Sequence, residues 1–140
     1  MTRSIRLAAA LALIAAPALA ESHGAHMSPM VEASNQSVAN GIVSASRVVA
    51  PANGWMVVHR TDAEMRPGPV VGYAPIREGE TADVAAILTE AVAPGDMLML
   101  MVHGEEGGTM TGVFEYTLGA TEDGPYRMDG NLVMQVITAE

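Results

Sequence analysis

Two groups of side chains in this sequence have the types and spacing for chemistry, and both point to copper. The first lies near the amino end, where Glu21-Ser22-His23 is followed by His26, Met27 and Met30. A chain that begins at Glu21 offers a free amine, two deprotonable backbone amides and the imidazole of a third-position histidine. Those four nitrogens form the square-planar set that Cu(II) and Ni(II) favour. The second position must supply an amide ligand, which bars proline, and Ser22 meets that condition. Thioethers are soft ligands for Cu(I), so Met27 and Met30 extend the set to the reduced ion. The plainer reading of the stretch is a flexible polar tail with incidental histidines.

The second group is His59 and His103. Each lies at or near the end of an apolar, strand-like run, residues 55–60 and 97–103. Side chains alternate across a strand, so Trp55, Val57 and His59 share one face, and Met97, Met99, Met101 and His103 share another. On neighbouring strands the two imidazoles would approach each other, and with Met99 or Met101 they make a mixed nitrogen and sulfur copper site. The alternative is that each ring is a neutral imidazole hydrogen-bonded at the end of a sheet. Methionine also fills irregular gaps in cores, so the methionine stripe reads equally as packing.

The chain has no cysteine. That excludes thiol catalysis, zinc–thiolate sites and the thiolate of a blue-copper centre. No nucleophile-elbow G-x-S-x-G, EF-hand loop or phosphate-binding glycine loop is present. The expectation is a binding domain rather than an enzyme, with copper as its cofactor. A structural or adhesive envelope module without metal, and an enzyme using His59 and His103, are the alternatives.

The elements that must position these groups follow from the rest of the chain. Residues 1–20 read as a cleavable secretory signal: Arg3 and Arg6, the apolar run 7–16, then Pro17 and Ala18-Leu19-Ala20. The run is too short for a bilayer core of about 30 Å. Cleavage after Ala20 sends the product to the periplasm or outside the cell, with no membrane span left, and exposes Glu21 as the new terminus. Residues 21–30 form a polar leader, and residues 31–140 form one domain.

The 140-residue chain has a formal charge of −9 and no lysine. Loss of Arg3 and Arg6 with the signal leaves 16 acids against five arginines. Such a surface repels phosphate backbones, so nucleic acid is not an expected partner. A copper ion or an envelope protein is.

From Val31 onward, short apolar runs recur with turn residues between them, which predicts an all-β sandwich, Ig-like or cupredoxin-like, of about seven or eight short strands. The expected strands are 31–36, 42–49, 55–60, 70–73, 82–89, 97–103, 112–118 and 132–138. Two of them, 97–103 and 132–138, are apolar on both faces, as in strands covered on both sides.

Several short motifs stand in order between about residues 35 and 137: Asn35-Gln36, Gly54-Trp-Met-Val-Val-His-Arg60, Pro67-Gly-Pro-Val-Val-Gly72, Gly79 with Asp83-Val84, residues 97–103, Gly112-Val-Phe114, and Asp123-Gly-Pro-Tyr126 with Gly130. On these the chain resembles a group of exported and cell-surface prokaryotic domains of unknown function, found singly in bacteria and within surface proteins of salt-loving archaea. The resemblance implies a compact β-sandwich and export, and it supplies no activity. Members often carry an acid soon after the second histidine, where this chain has Gly104-Glu105-Glu106.

Overall fold

The computed structural model describes residues 27–140. Nine strands are present among them: β1 (Met30–Glu32), β2 (Ile42–Ala50), β3 (Gly54–Thr61), β4 (Val70–Ile76), β5 (Gly79–Ile87), β6 (Met97–Gly104), β7 (Arg127–Met128), β8 (Asn131–Leu132) and β9 (Met134–Thr138). They form a three-stranded sheet in the order β1-β2-β5, a four-stranded sheet in the order β4-β3-β6-β9, and a small hairpin β7-β8, all antiparallel. The all-β expectation holds. No helix among the described residues is long and apolar enough to cross a membrane.

The two larger sheets enclose an aliphatic core. Val43, Ala45, Val48, Val84 and Ala86 face it from the three-stranded sheet. Met56, Val58, Leu98, Leu100, Val102 and Ile137 face it from the four-stranded sheet. Period-2 alternation puts every second side chain inward, with one break in β2, where Ala45 and Val48 both face the core, and each fully buried Val, Leu, Ile or Met contributes about 1.5–3 kcal/mol of transfer free energy. The motif Asn35-Gln36 tightens one end. Its side-chain amides stand in for strand partners: Gln36 exchanges two 2.8 Å bonds with the Ser44 backbone, and Asn35 accepts from the Thr138 amide at 2.9 Å.

Some strand boundaries differ from the sequence expectation, each for a local reason. The first strand is shorter than 31–36, because the chain leaves the β2 ladder after Glu32 and returns only as a bridge from Gln36 to Ala139. The fourth runs on through Pro75 to Ile76, which is tolerated because β4 is an edge strand with no ladder partner to lose on its outer side. The stretch 132–138 is two elements, since Leu132 pairs with β7 and only Met134 onward pairs with β6.

The largest correction is at 112–118, which is not a strand. Gly112 and Gly119 hold positive φ at its two ends, 79° and 85°, and carboxylates take the backbone amides that a strand neighbour would otherwise claim. Glu105 accepts from the Gly112 amide at 2.7 Å. Glu115 accepts from the Thr109 and Met110 amides at 2.7 and 3.0 Å, and Asp123 accepts from the Glu115 amide at 2.8 Å. The result is an irregular flap, residues 105–125, folded over the outer face of the four-stranded sheet.

Candidate metal centre

Under that flap, β3 and β6 pair in the register Trp55↔His103, Val57↔Met101 and His59↔Met99. These three rungs lie on the face opposite to Leu98, Leu100 and Val102, and alternate residues on one face are about 6.8 Å apart. His59 and His103 therefore sit on the outer two rungs, on different strands, with Val57 and Met101 on the rung between them. Met99, Met101, His59 and His103 are all buried, none more than 1 % exposed. The expectation that 97–103 is covered on both faces holds.

Two carbonyl oxygens aim the histidines at each other. His59 Nδ1 donates to the Gly68 carbonyl at 2.8 Å, and His103 Nδ1 donates to the Asp123 carbonyl at 2.6 Å. A carbonyl only accepts, so Nδ1 carries the proton in each ring, and in the neutral imidazole Nε2 then keeps a free lone pair. The two Nε2 atoms face each other at 3.4 Å, and the ring centroids are 5.5 Å apart.

Each carbonyl is itself fixed by backbone geometry, that of Asp123 by the flanking bonds from Asp123 N–H to Glu106 O at 2.8 Å and from Gly104 N–H to Gly124 O at 3.0 Å. The Pro67-Gly68-Pro69 turn folds onto the end of β3 through Gly68 N–H to Arg60 O at 2.8 Å and Arg60 N–H to Pro69 O at 2.9 Å. A Cβ on Gly68 would stand 2.8 Å from the Arg60 oxygen, so only glycine fits. The β3–β4 ladder also shifts register between Val58 and His59, an irregularity of the kind that re-aims a side chain. At the other end, a Cβ on Gly54 would overlap the His103 carbonyl oxygen, so glycine there lets the two strands close up beside His103.

Burial makes the pair resist protonation. It lowers the His103 pKa from 6.5 to about 4, with the Asp123 hydrogen bond opposing the shift and the neighbouring His59 charge adding to it. Burial lowers the His59 pKa too, opposed by the Gly68 hydrogen bond. Near neutral pH both rings are therefore uncharged, and two acceptor lone pairs point at each other with no proton between them. Mutual repulsion in a buried site is removed by a cation. At metal–nitrogen distances of about 2.0–2.1 Å, an ion shared across the 3.4 Å gap subtends about 110° at the metal. That angle suits three- or four-coordinate binding.

The flap supplies the roof. Tyr116 packs edge-to-face on His103 and His59, with centroids 4.6 and 5.9 Å away. Phe114 extends the cover to Trp55 and Tyr73 at 5.6 and 4.4 Å. The Trp55 indole N–H donates to Glu105 at 2.6 Å and pins the start of the flap. A cavity of about 250 Å³ borders His103, Glu106 and Tyr126, and His59, Met101 and Tyr116 do not line it. A larger one, about 460 Å³, lies beside Trp55 and Arg77 and does not include the histidines.

Of the residues singled out in the sequence, His59, His103, Met99 and Met101 are thus brought to one face. Among the described residues no set of three or more His, Asp or Glu side chains converges, so any third ligand to the pair comes from outside those types. Met27 and Met30 lie elsewhere. Met30 opens β1, and since its neighbour Val31 points into the core, Met30 faces outward on the three-stranded sheet. The two sulfurs accept from the Arg47 guanidinium at 3.8 and 3.5 Å. His23 and His26 lie outside the described residues. The roof and the two aiming carbonyls were not foreseen. The only sequence signal for the roof is the i, i+2 spacing of Phe114 and Tyr116, and backbone carbonyls leave none.

Neither the curated proteins nor the solved structures compared with this chain give a match. The model of a family described as a domain of unknown function, DUF7282, matches residues 29–140. The fold and the histidine pair both lie within that match, and the chain belongs to this family.

Proposed function

We propose that this is an exported, non-enzymatic binding domain that holds copper in its reduced state between His59 and His103. The observation that carries the reading is the 3.4 Å approach of two lone-pair nitrogens in a buried site. A plain structural role would account for each Nδ1–carbonyl bond but does not require the opposite nitrogens to converge. The support for export is the signal-like character of residues 1–20, and in an oxidising compartment free thiols do not persist, so copper ligands other than cysteine suit that reading.

The leader set of His23, His26, Met27 and Met30 becomes a secondary site in this reading. Arg47 holds a positive charge against the Met27 and Met30 sulfurs, which disfavours a cation there, although Glu80 and Glu32 partly offset that charge at 2.7 and 3.9 Å.

The test is Cu(I) affinity under reducing conditions, by competition with a chromophoric chelator. The useful variants are His59→Asn and His103→Asn. Asparagine places an N–H donor where Nδ1 stood, so the bond to the carbonyl survives, while the Nε2 ligand is removed. One Cu(I) per chain, lost in both variants and retained in His23→Ala, is the expected result. Absence of Cu(I) binding, or binding lost only in His23→Ala, would overturn the assignment and leave the leader or a metal-free envelope module as the function.

A further inference from the structure

We infer that Met101 is the third ligand of this centre, and that the site selects a monovalent soft ion, Cu(I) or Ag(I), over Cu(II) and Zn(II). The inference rests on the copper reading of the His59–His103 pair and goes further by naming the ligand and the charge that determine specificity.

The register carries the first part. The two imidazoles start from the outer rungs and meet over the middle one, which holds Val57 and Met101. Val57 has no donor atom. The Met101 thioether is the side-chain donor on the rung that the two Nε2 atoms cross. Above the pair stands Tyr116, whose hydroxyl accepts from the Gly119 amide at 3.3 Å and is thereby drawn toward the flap backbone. Both Nδ1 atoms are occupied by carbonyls. An ion at the gap thus finds two nitrogens at an angle of about 110° on ordinary metal–nitrogen distances and one sulfur below. Met99 lies one rung further out, directly opposite His59, and is packing.

Charge carries the second part. All three ligands are neutral, and the site is buried. The cost of moving an ion from water into a low-dielectric interior rises with the square of its charge, so a divalent ion pays about four times what a monovalent one does. Asp123 meets the site through its backbone carbonyl while its carboxylate accepts from the Glu115 amide, and among the described residues no acid side chain converges with the two histidines, so the second charge of a divalent ion has no anionic ligand to balance it. Thioether sulfur adds its own preference for soft Cu(I).

The experiment compares wild type, Met101→Leu and Met99→Leu in the full exported protein, using Cu(I), Ag(I) and Zn(II) as probes. Leucine keeps the volume close to that of methionine and the face apolar, so the fold is retained, and circular dichroism verifies it. Met101→Leu should weaken Cu(I) and Ag(I) by about 100-fold or more, since even an outer-shell partner is worth about 10–100-fold in affinity. Met99→Leu should leave both nearly unchanged. Copper-edge X-ray absorption should show one sulfur at about 2.3 Å, a usual metal–sulfur distance, present in wild type and gone in Met101→Leu. Equal affinity in Met101→Leu, a sulfur lost only in Met99→Leu, or Zn(II) held as tightly as Cu(I) would each overturn this inference while the histidine pair still binds. Failure of wild type to bind Cu(I) would instead overturn the proposed function, and this inference with it.

Discussion

On the two central strands of the four-stranded sheet, β3 and β6, both faces are buried and are built on different rules. The inner face, with Met56, Val58, Leu98, Leu100 and Val102, is aliphatic and packs against a second regular sheet. The outer face, with Trp55, Val57, His59, Met99, Met101 and His103, is covered by a flap without regular structure, held by carboxylate-to-amide bonds. Exposure alone does not separate them, since Leu100 is 0 % exposed and His103 is 1 % exposed. The contrast is chemical. A core needs only apolar volume, and the inner face supplies that. The outer face keeps two titratable rings buried and uses two backbone carbonyls to aim them. A polar pair of this kind is a poor way to gain stability, because apolar residues of similar volume often do as well or better. Its convergent lone pairs are what the copper reading explains.

Substitutions on either face test this contrast. Leu100→Ala on the inner face should cost about 3–5 kcal/mol, the upper part of the range for a fully buried leucine. Urea denaturation measures it, and the metal-free and Cu(I)-loaded forms should lose similar amounts. A cost near zero would mean that the aliphatic sandwich is not the stabilising core.

Acid should act through the outer face. An unfolded His103 titrates near 6.5 and the folded ring near 4, so between those values the unfolded state holds the extra proton. Stability is therefore complete above pH 6.5 and falls as pH drops toward 4. His103 alone accounts for about 3 kcal/mol of that loss in the metal-free protein, and His59 adds to it in the same direction. Denaturation midpoints across that window check the slope, and His103→Asn should flatten it. An unchanged slope in that variant would place the acid sensitivity elsewhere.

Gly68→Ala tests the aiming device. The added methyl meets the Arg60 carbonyl at 2.8 Å, so the turn must shift. The expected cost is about 1–3 kcal/mol, as for other overpacked sites, together with weaker Cu(I) binding because the Gly68 oxygen no longer holds His59. Full Cu(I) affinity in this variant would show that the carbonyl does not orient the ring. The smallest effect on global stability is expected from Glu115→Gln. It weakens charge-assisted bonds to the Thr109 and Met110 amides, and protease cleavage within residues 105–125 should speed up while the unfolding midpoint barely moves.

Much of the inner face was legible in the sequence, because period-2 alternation is a local signal. The residues of β3 and β6 and the shared face of His103 with the methionines could be read from it directly. The strand expected at 112–118 failed because Phe114, Tyr116 and Leu118 alternate with Val113, Glu115 and Thr117 as a strand would. What overrides that pattern comes from Glu105 and Asp123, outside the stretch. The hairpin β7-β8 was missed although its turn residues, Asp129-Gly130, both at positive φ, are the usual two-residue hairpin signal. The 3.4 Å approach was illegible. It depends on the Gly68 and Asp123 carbonyls, and a backbone oxygen has no letter in a sequence.

The most direct test follows the nitrogens themselves. The chain has four histidines, and long-range proton–nitrogen NMR of the imidazoles distinguishes them during a Cu(I) titration. His59 and His103 should begin as Nδ1-protonated neutral rings, their two Nε2 resonances should move together and saturate at one equivalent, and His23 and His26 should respond only after that. First-equivalent shifts confined to His23 and His26, with the buried pair unmoved, would contradict the assignment of copper to the pair.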